Sequence, residues 1–185
     1  MLKNSYLLLL LFISCLLFVN CSSEKTYESM VRGGLSSGIE ADSLFLGYYF
    51  GMTVQDFHSS SLEMNRRGEI TGFTKIIYKT EALSHPATME FYPTFIEGKI
   101  TRIPLTIGYD GWAPWNEHLH TNELIGDLIS YYAEVYGAEF SMIYIPDIDR
   151  QAMVSIMGNR EIRIYPNSQS TVFVDFIDLS AAGNS

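Results

Sequence analysis

Gly108-Tyr109-Asp110-Gly111-Trp112-Ala113-Pro114-Trp115-Asn116-Glu117-His118-Leu119-His120-Thr121 separates two stretches of similar design. Upstream of it, Thr53 fits an N-cap with Asp56 in the first turn. Val54, Phe57, His58, Ser61 and Leu62 then follow a helical stripe that Gly68 stops. Downstream, Thr121 or Asn122 fits an N-cap ahead of the stripe Leu124, Ile125, Leu128, Ile129, Tyr132, Ala133 and Tyr136, which Gly137 closes.

Runs of β-forming residues follow each helix. The first set covers residues 70–80, 87–96 and 99–109, the last two joined by a turn at Glu97-Gly98-Lys99. The second covers 139–145, 152–157, 160–165 and 171–179, with a two-residue turn at Gly158-Asn159. Within 99–109, Ile103, Leu105, Ile107 and Tyr109 alternate onto one face, which predicts burial of that face. Pro104 points the other way and has no N–H, so an edge strand or a bulge is expected there. The expected fold is α+β: two tandem helix-plus-antiparallel-strands units, 43–109 and 121–185, joined by a hinge at 110–120. They share a mostly antiparallel sheet with the helices packed on one face.

The amino-terminal end carries a different signal. Lys3 precedes an apolar run from Tyr6 to Val19, and Asn20-Cys21-Ser22-Ser23 follows, so residues 1–20 read as an export signal. Leu17-Phe18-Val19-Asn20-Cys21 resembles the lipobox of bacterial lipoproteins, departing from its pattern at Phe18 and Asn20. That resemblance implies lipidation of Cys21 and attachment to a membrane through the lipid. Cys15 follows the small Ser14, but cleavage there would leave Leu16 to Val19 on the mature end, so Cys21 is preferred. Residues 21–42, with Arg32-Gly33-Gly34 and Ser36-Ser37-Gly38, read as a flexible tether, in which Tyr27, Met30 and Val31 offer a short packed turn instead.

Composition narrows the function classes. Without residues 1–20, whose one charge is Lys3, 11 basic residues face 21 acidic ones, a balance of −10. Nucleic-acid binding is therefore not expected, since it depends on Lys and Arg displacing counterions. Both cysteines lie in the first 21 residues, so the folded body can hold neither a disulfide nor a cysteine nucleophile.

The hinge concentrates what chemistry the sequence offers. Tyr109, Trp112 and Trp115 suit a platform for a sugar ring or a partner protein. A plug, with Trp115 or Leu119 stapling the second helix, explains the same residues and is the preferred reading. His118 and His120, beside Glu117, have the i, i+2 spacing that puts two imidazoles on one face of an extended chain, the basis for a metal-ligand reading. Solvated loop histidines explain them too. No catalytic residue and no cofactor is assigned from the sequence.

Gly51-Met52-Thr53 before a helix, followed by strands around a Glu-Gly-Lys turn, resembles small envelope lipoproteins of the outer-membrane assembly machinery. The doubled layout resembles the beta-lactamase inhibitor proteins. Both resemblances imply a binding fold without catalysis. The expectation is an exported, lipid-anchored binding protein of the bacterial cell envelope, at the outer membrane, that engages a protein or a glycan. The alternatives are a metal-assisted hydrolase using His118 and His120, or an inhibitor of an exported enzyme.

Overall fold

A computed structural model describes residues 25–181. The export signal over 1–20 and the lipidation expectation at Cys21 lie outside the described residues. Helices α1 (Tyr27–Ser36), α2 (Val54–Arg66) and α3 (Thr121–Tyr136) combine with nine strands: β1 (Ile70–Thr71), β2 (Ile76–Thr80), β3 (Ala87–Phe91), β4 (Thr94–Ile96), β5 (Lys99–Tyr109), β6 (Ser141–Ile145), β7 (Arg150–Met157), β8 (Arg160–Pro166) and β9 (Val172–Asp178). All strand pairs are antiparallel, in the order β1-β2-β3-β5-β9-β8-β7-β6, with β4 paired to β5 off that path. The fold is α+β, with helices packed on one sheet.

Each helix-to-strand segment runs from a helix into a meander, and the last strands of the two segments, β5 and β9, pair at the centre. The alternation in β5 has the predicted result: Ile103, Leu105, Ile107 and Tyr109 are all buried. They share one core with Phe57 and Met64 of α2, with Leu124, Leu128 and Tyr132 of α3, and with Ile162, Ile164, Val172, Val174 and Phe176 from β8 and β9. Each such side chain contributes roughly 1.5–3 kcal/mol on burial, so this layer holds α2 and α3 on the same face.

Two expectations change. Residues 70–80 form two strands, because Gly72 (φ +87°) turns the chain between β1 and β2. Residues 87–96 also divide, since Tyr92-Pro93 interrupts the ladder before β4. At Pro104, where an edge or a bulge was expected, β5 is not an edge strand, but it carries an irregularity close by, between Ile100 and Arg102. Pro104 lies opposite Asp175 of β9, and on the other flank β3 pairs only as far as Leu105 while β4 pairs only as far as Arg102. The residue without an N–H thus sits where one partner strand hands over to the next, close to a register shift at Thr94/Phe95.

The larger correction is at residues 25–42, where the alternative of a packed segment at Tyr27 and Met30 replaces the tether. Thr26 and Ser29 form a reciprocal capping box, and Tyr27–Ser36 is helical where a loose tether was expected. α1 lies on the face away from α2 and α3, where Tyr27 and Met30 pack with Ile143, Ile145, Ala152, Val154 and Tyr165. The glycines that suggest a linker include a contact residue: a Cβ on Gly34 would fall 2.5 Å from Ile156 Cγ2 and 2.8 Å from the Gly158 carbonyl oxygen. Beyond α1, Asn159 secures the chain, its side chain accepting from the Ala41 N–H at 2.7 Å and donating to Asp42 at 2.8 Å. Arg160 donates to the Ser43 carbonyl at 2.8 Å.

Candidate functional site

The face of the sheet opposite α2 and α3 has two parts. Over β6, β7 and β8 it is covered by α1, and over β3, β5 and β9 it is open. The alternation that buries Ile103, Leu105, Ile107 and Tyr109 turns Arg102, Pro104, Thr106 and Gly108 outward, all of them half-buried. Thr88 and Glu90 lie beside them, opposite Gly108 and Thr106 in the register, and Phe173 adjoins from β9.

Two shallow depressions of about 290 and 240 Å³ occupy this strip, sharing Glu90 and Thr106. One end is walled by Asp110, Trp112, Ser170 and Thr171, the other by Tyr92, Lys75 and Phe173. Thr88 donates to Asp110 at 2.6 Å, and Lys75 pairs with Glu90. The strip is therefore a trough of hydroxyls, one ion pair and aromatic edges.

Its border with the covered half is a charged row. Arg102 reaches Asp175 through two hydrogen bonds, at 3.1 and 2.8 Å, and the Tyr165 hydroxyl donates to the same carboxylate at 3.1 Å. Under α1, Arg163 donates to Glu161 at 2.5 and 3.2 Å, to Asp147 at 2.8 Å, and to the Tyr27 hydroxyl at 2.6 Å. Tyr27 in turn donates to Glu161 at 3.0 Å. Glu161 is fully buried and the Arg163 side chain is 5% exposed. Burial opposes the charge on Arg163, but the bonds and charges of Glu161 and Asp147 outweigh it and hold the guanidinium above its usual range. Burial and the neighbouring Glu161 push the Tyr27 hydroxyl up to about 12.

The hinge residues separate by role. Tyr109 is buried, and its hydroxyl donates to Asp127 of α3 at 2.5 Å, so its ring is scaffold, although the residue also borders the depression beside Trp112. Burial and that carboxylate raise the Tyr109 hydroxyl to about 12. Burial acts to raise Asp127 as well, but bonds from Ser84 and Tyr109 win and hold it below its ordinary range. Leu119 is buried ahead of α3 and makes the staple-like contact, whereas Trp115 is 85% exposed. Trp112 is half-buried against the main core, at the end of the trough.

His118 is exposed in a short 3-10 turn, Glu117–Leu119, while His120 is half-buried with its ring 6.1 Å from that of Trp112. Neither Trp112 Nε1 nor His120 Nε2 has a hydrogen-bond partner among the described residues. The two imidazoles are not brought together with carboxylates: among the described residues, no group of three His, Asp or Glu is placed to hold a metal ion.

A separate groove of about 420 Å³ lies between α2 and the turn joining β1 to β2, lined by Phe57, His58, Ser61, Leu62, Phe73 and Ile76 among others. Sequence reasoning assigns no role to this groove or to the trough. The trough was recoverable from the outward half of the β5 alternation, but the groove depends on a turn at Gly72 within a run that reads as one strand.

Compared with known protein families, curated proteins and solved structures, the chain matches none.

Proposed function

We propose that this chain is an exported binding protein of the bacterial cell envelope, moored to the outer membrane by lipid on Cys21. In this reading the open strip of sheet presents itself to a partner protein. The observation that carries it is the uneven cover of the outer face: α1 shields β6–β8, while Thr88, Glu90, Pro104, Thr106 and Phe173 stay accessible. The loop that walls the strip also carries Trp115 at 85% exposure. A large aromatic held out in water beside a mixed-polarity surface is the pattern of an interface anchor. The lipobox-like Leu17-Phe18-Val19-Asn20-Cys21 supports the mooring, and the capped helix α1 follows a few residues later in the sequence.

A glycan partner is the second reading, favoured by the hydroxyl-rich end of the trough, where Thr88, Ser170 and Thr171 gather beside Asp110 and Trp112. Sugar rings stack on aromatic faces while their hydroxyls bond to such groups.

Photo-crosslinkers placed at Thr106 and Trp115, with Ser130 on the outer side of α3 as control, test the site in intact cells. A discrete protein adduct from positions 106 and 115 that is absent from 130 is expected. Equal labelling from all three positions overturns the reading. Retardation by cell-wall polysaccharide that vanishes in Trp115→Ala identifies the glycan instead. Metabolic palmitate label should be lost in Cys21→Ala and kept in Cys15→Ala, and label that survives Cys21→Ala removes the mooring from that residue.

A further inference from the structure

We infer that the groove between α2 and the β1–β2 turn binds a free, unbranched fatty carboxylate. The site is independent of the open sheet face. Its volume is about 420 Å³. That lies in the ordinary range of ligand pockets, which are mostly apolar with a few placed polar groups.

The walls have this division. Phe57 and Ile76 form a buried apolar floor, and Leu62 and Phe73 rise at the edges, 52% and 78% exposed. His58, Ser61, Leu62 and Asn65 line the helix side at i, i+3, i+4 and i+7, a single stripe along α2. A chain lying along that stripe therefore meets carbon on one side and hydrogen-bonding groups on the other.

Phe73 is built into its exposed place. The turn from Gly72 to Lys75 is so tight that a Cβ on Gly72 would overlap the Lys75 carbonyl oxygen. The Phe73 ring is stacked on that of His58, 6.0 Å between centroids at 19°. One ring face is thus covered by His58.

Charge selects the head group. The chain has 21 acidic residues, yet no carboxylate lines this groove. Arg66, one turn beyond Leu62, makes no ion pair among the described residues, whereas Arg67 is engaged by Glu63 and Glu69. Arg66 is not a wall of the groove, but in a protein of net charge −9 an unengaged cation one helical turn from the lining residue Leu62 suits a carboxylate at that end, with its chain toward Phe57 and Phe73.

The test uses the full chain carrying Cys21→Ser, purified without detergent, and dodecanoate as probe in isothermal titration. Saturable binding at a single site is expected, weakened about tenfold or more by Phe73→Ala and by Leu62→Ser, a change of ~1.4 kcal/mol or more. Both residues are exposed, and unchanged circular dichroism and melting confirm that the variants fold. Arg66→Gln should weaken dodecanoate and leave dodecanol unaffected. Non-saturable binding, or binding indifferent to Phe73→Ala and Leu62→Ser, overturns the inference. So does co-sedimentation with phosphatidylglycerol vesicles that depends on Phe73 and Leu62 in the absence of dodecanoate binding, which would make the patch a membrane contact. Trp115 crosslinking is untouched by any of these results, so the two proposals fail separately.

Discussion

The two halves of the sheet are built alike on one face and differently on the other. On the inner face α2 and α3 press on one continuous core, and on the outer face only β6–β8 carry a helix. The covered half puts ionised groups where water cannot reach, with Glu161 and Arg163 under Tyr27. In the open half Asp175 is buried too, but its partner Arg102 is 43% exposed and the Lys75–Glu90 pair is solvated. A second layer thus turns a row of charges into structure, and a surface left without one remains available for binding.

The sharpest way to break that contrast is to remove one member of each charge pair. Glu161→Ala takes away the buried counter-charge of Arg163, leaving it only the exposed Asp147, and should cost about 3–5 kcal/mol. Arg102→Ala leaves the buried Asp175 with the Tyr165 hydroxyl, but it also removes the half-exposed side chain above that carboxylate and admits water, so about 1–3 kcal/mol is expected. Guanidinium unfolding with an unchanged slope measures both. Equal losses would mean that α1 does not seal the face beneath it.

Next in size is the seat of α1 itself. Gly34→Ala drives a methyl against Ile156 and the Gly158 backbone and should cost about 1–3 kcal/mol, with new protease cutting confined to residues 27–38. Gly33 meets nothing within 4 Å, so Gly33→Ala should stabilise the helix by roughly 0.5–1 kcal/mol. Identical outcomes at the two positions would leave α1 as a loosely held segment.

These neighbouring glycines also show where sequence reading stops. Arg32-Gly33-Gly34 and Ser36-Ser37-Gly38 have linker composition, and nothing local says that Gly34 is the contact residue. Its partner, Gly158, lies more than a hundred residues away. The stripe of α3 and the inward alternation of β5 were legible because periodicity is a local property that one core face converts directly into burial. The same alternation already placed Tyr109 among the buried residues, which conflicts with its use as a platform. Trp115 and Leu119 both suited the staple, and a choice between them needed the packing ahead of α3. Strand breaks at Gly72 and Tyr92-Pro93 were missed because an unbroken run of β-formers reads the same whether it forms one strand or two.

A smaller effect separates the halves by pH. The Tyr27 hydroxyl is held up to about 12, above the ordinary ~10 of an unfolded tyrosine. Its stabilising contribution is therefore complete below pH ~10 and is lost as pH rises through about 12. Tyr27→Phe should cost about 1 kcal/mol at neutral pH and flatten the alkaline fall in stability over that window. The pH dependence of unfolding free energy for both chains checks this, and an unchanged alkaline limb in Tyr27→Phe would assign it to Tyr109 and the other raised tyrosines.

The smallest contrast lies at the helix starts on the shared inner face. The Thr53 side chain accepts the Asp56 N–H at 3.1 Å and caps α2. At α3 the cap position is His120, with extended φ and ψ of −80° and 160° but no side-chain cap bond. Its start is held instead by Thr121, whose N–H donates to Gln169 at 3.2 Å and whose hydroxyl donates to Ser168 at 2.6 Å. Thr53→Ala should therefore cost about 1 kcal/mol, while His120→Asn supplies an acceptor to a backbone already shaped for it and should gain about 0.5 kcal/mol. Thermal unfolding resolves both signs. If His120→Asn destabilises instead, the imidazole against Trp112 contributes more than the cap it fails to provide, and the loop carrying Trp115 is anchored through that ring pair.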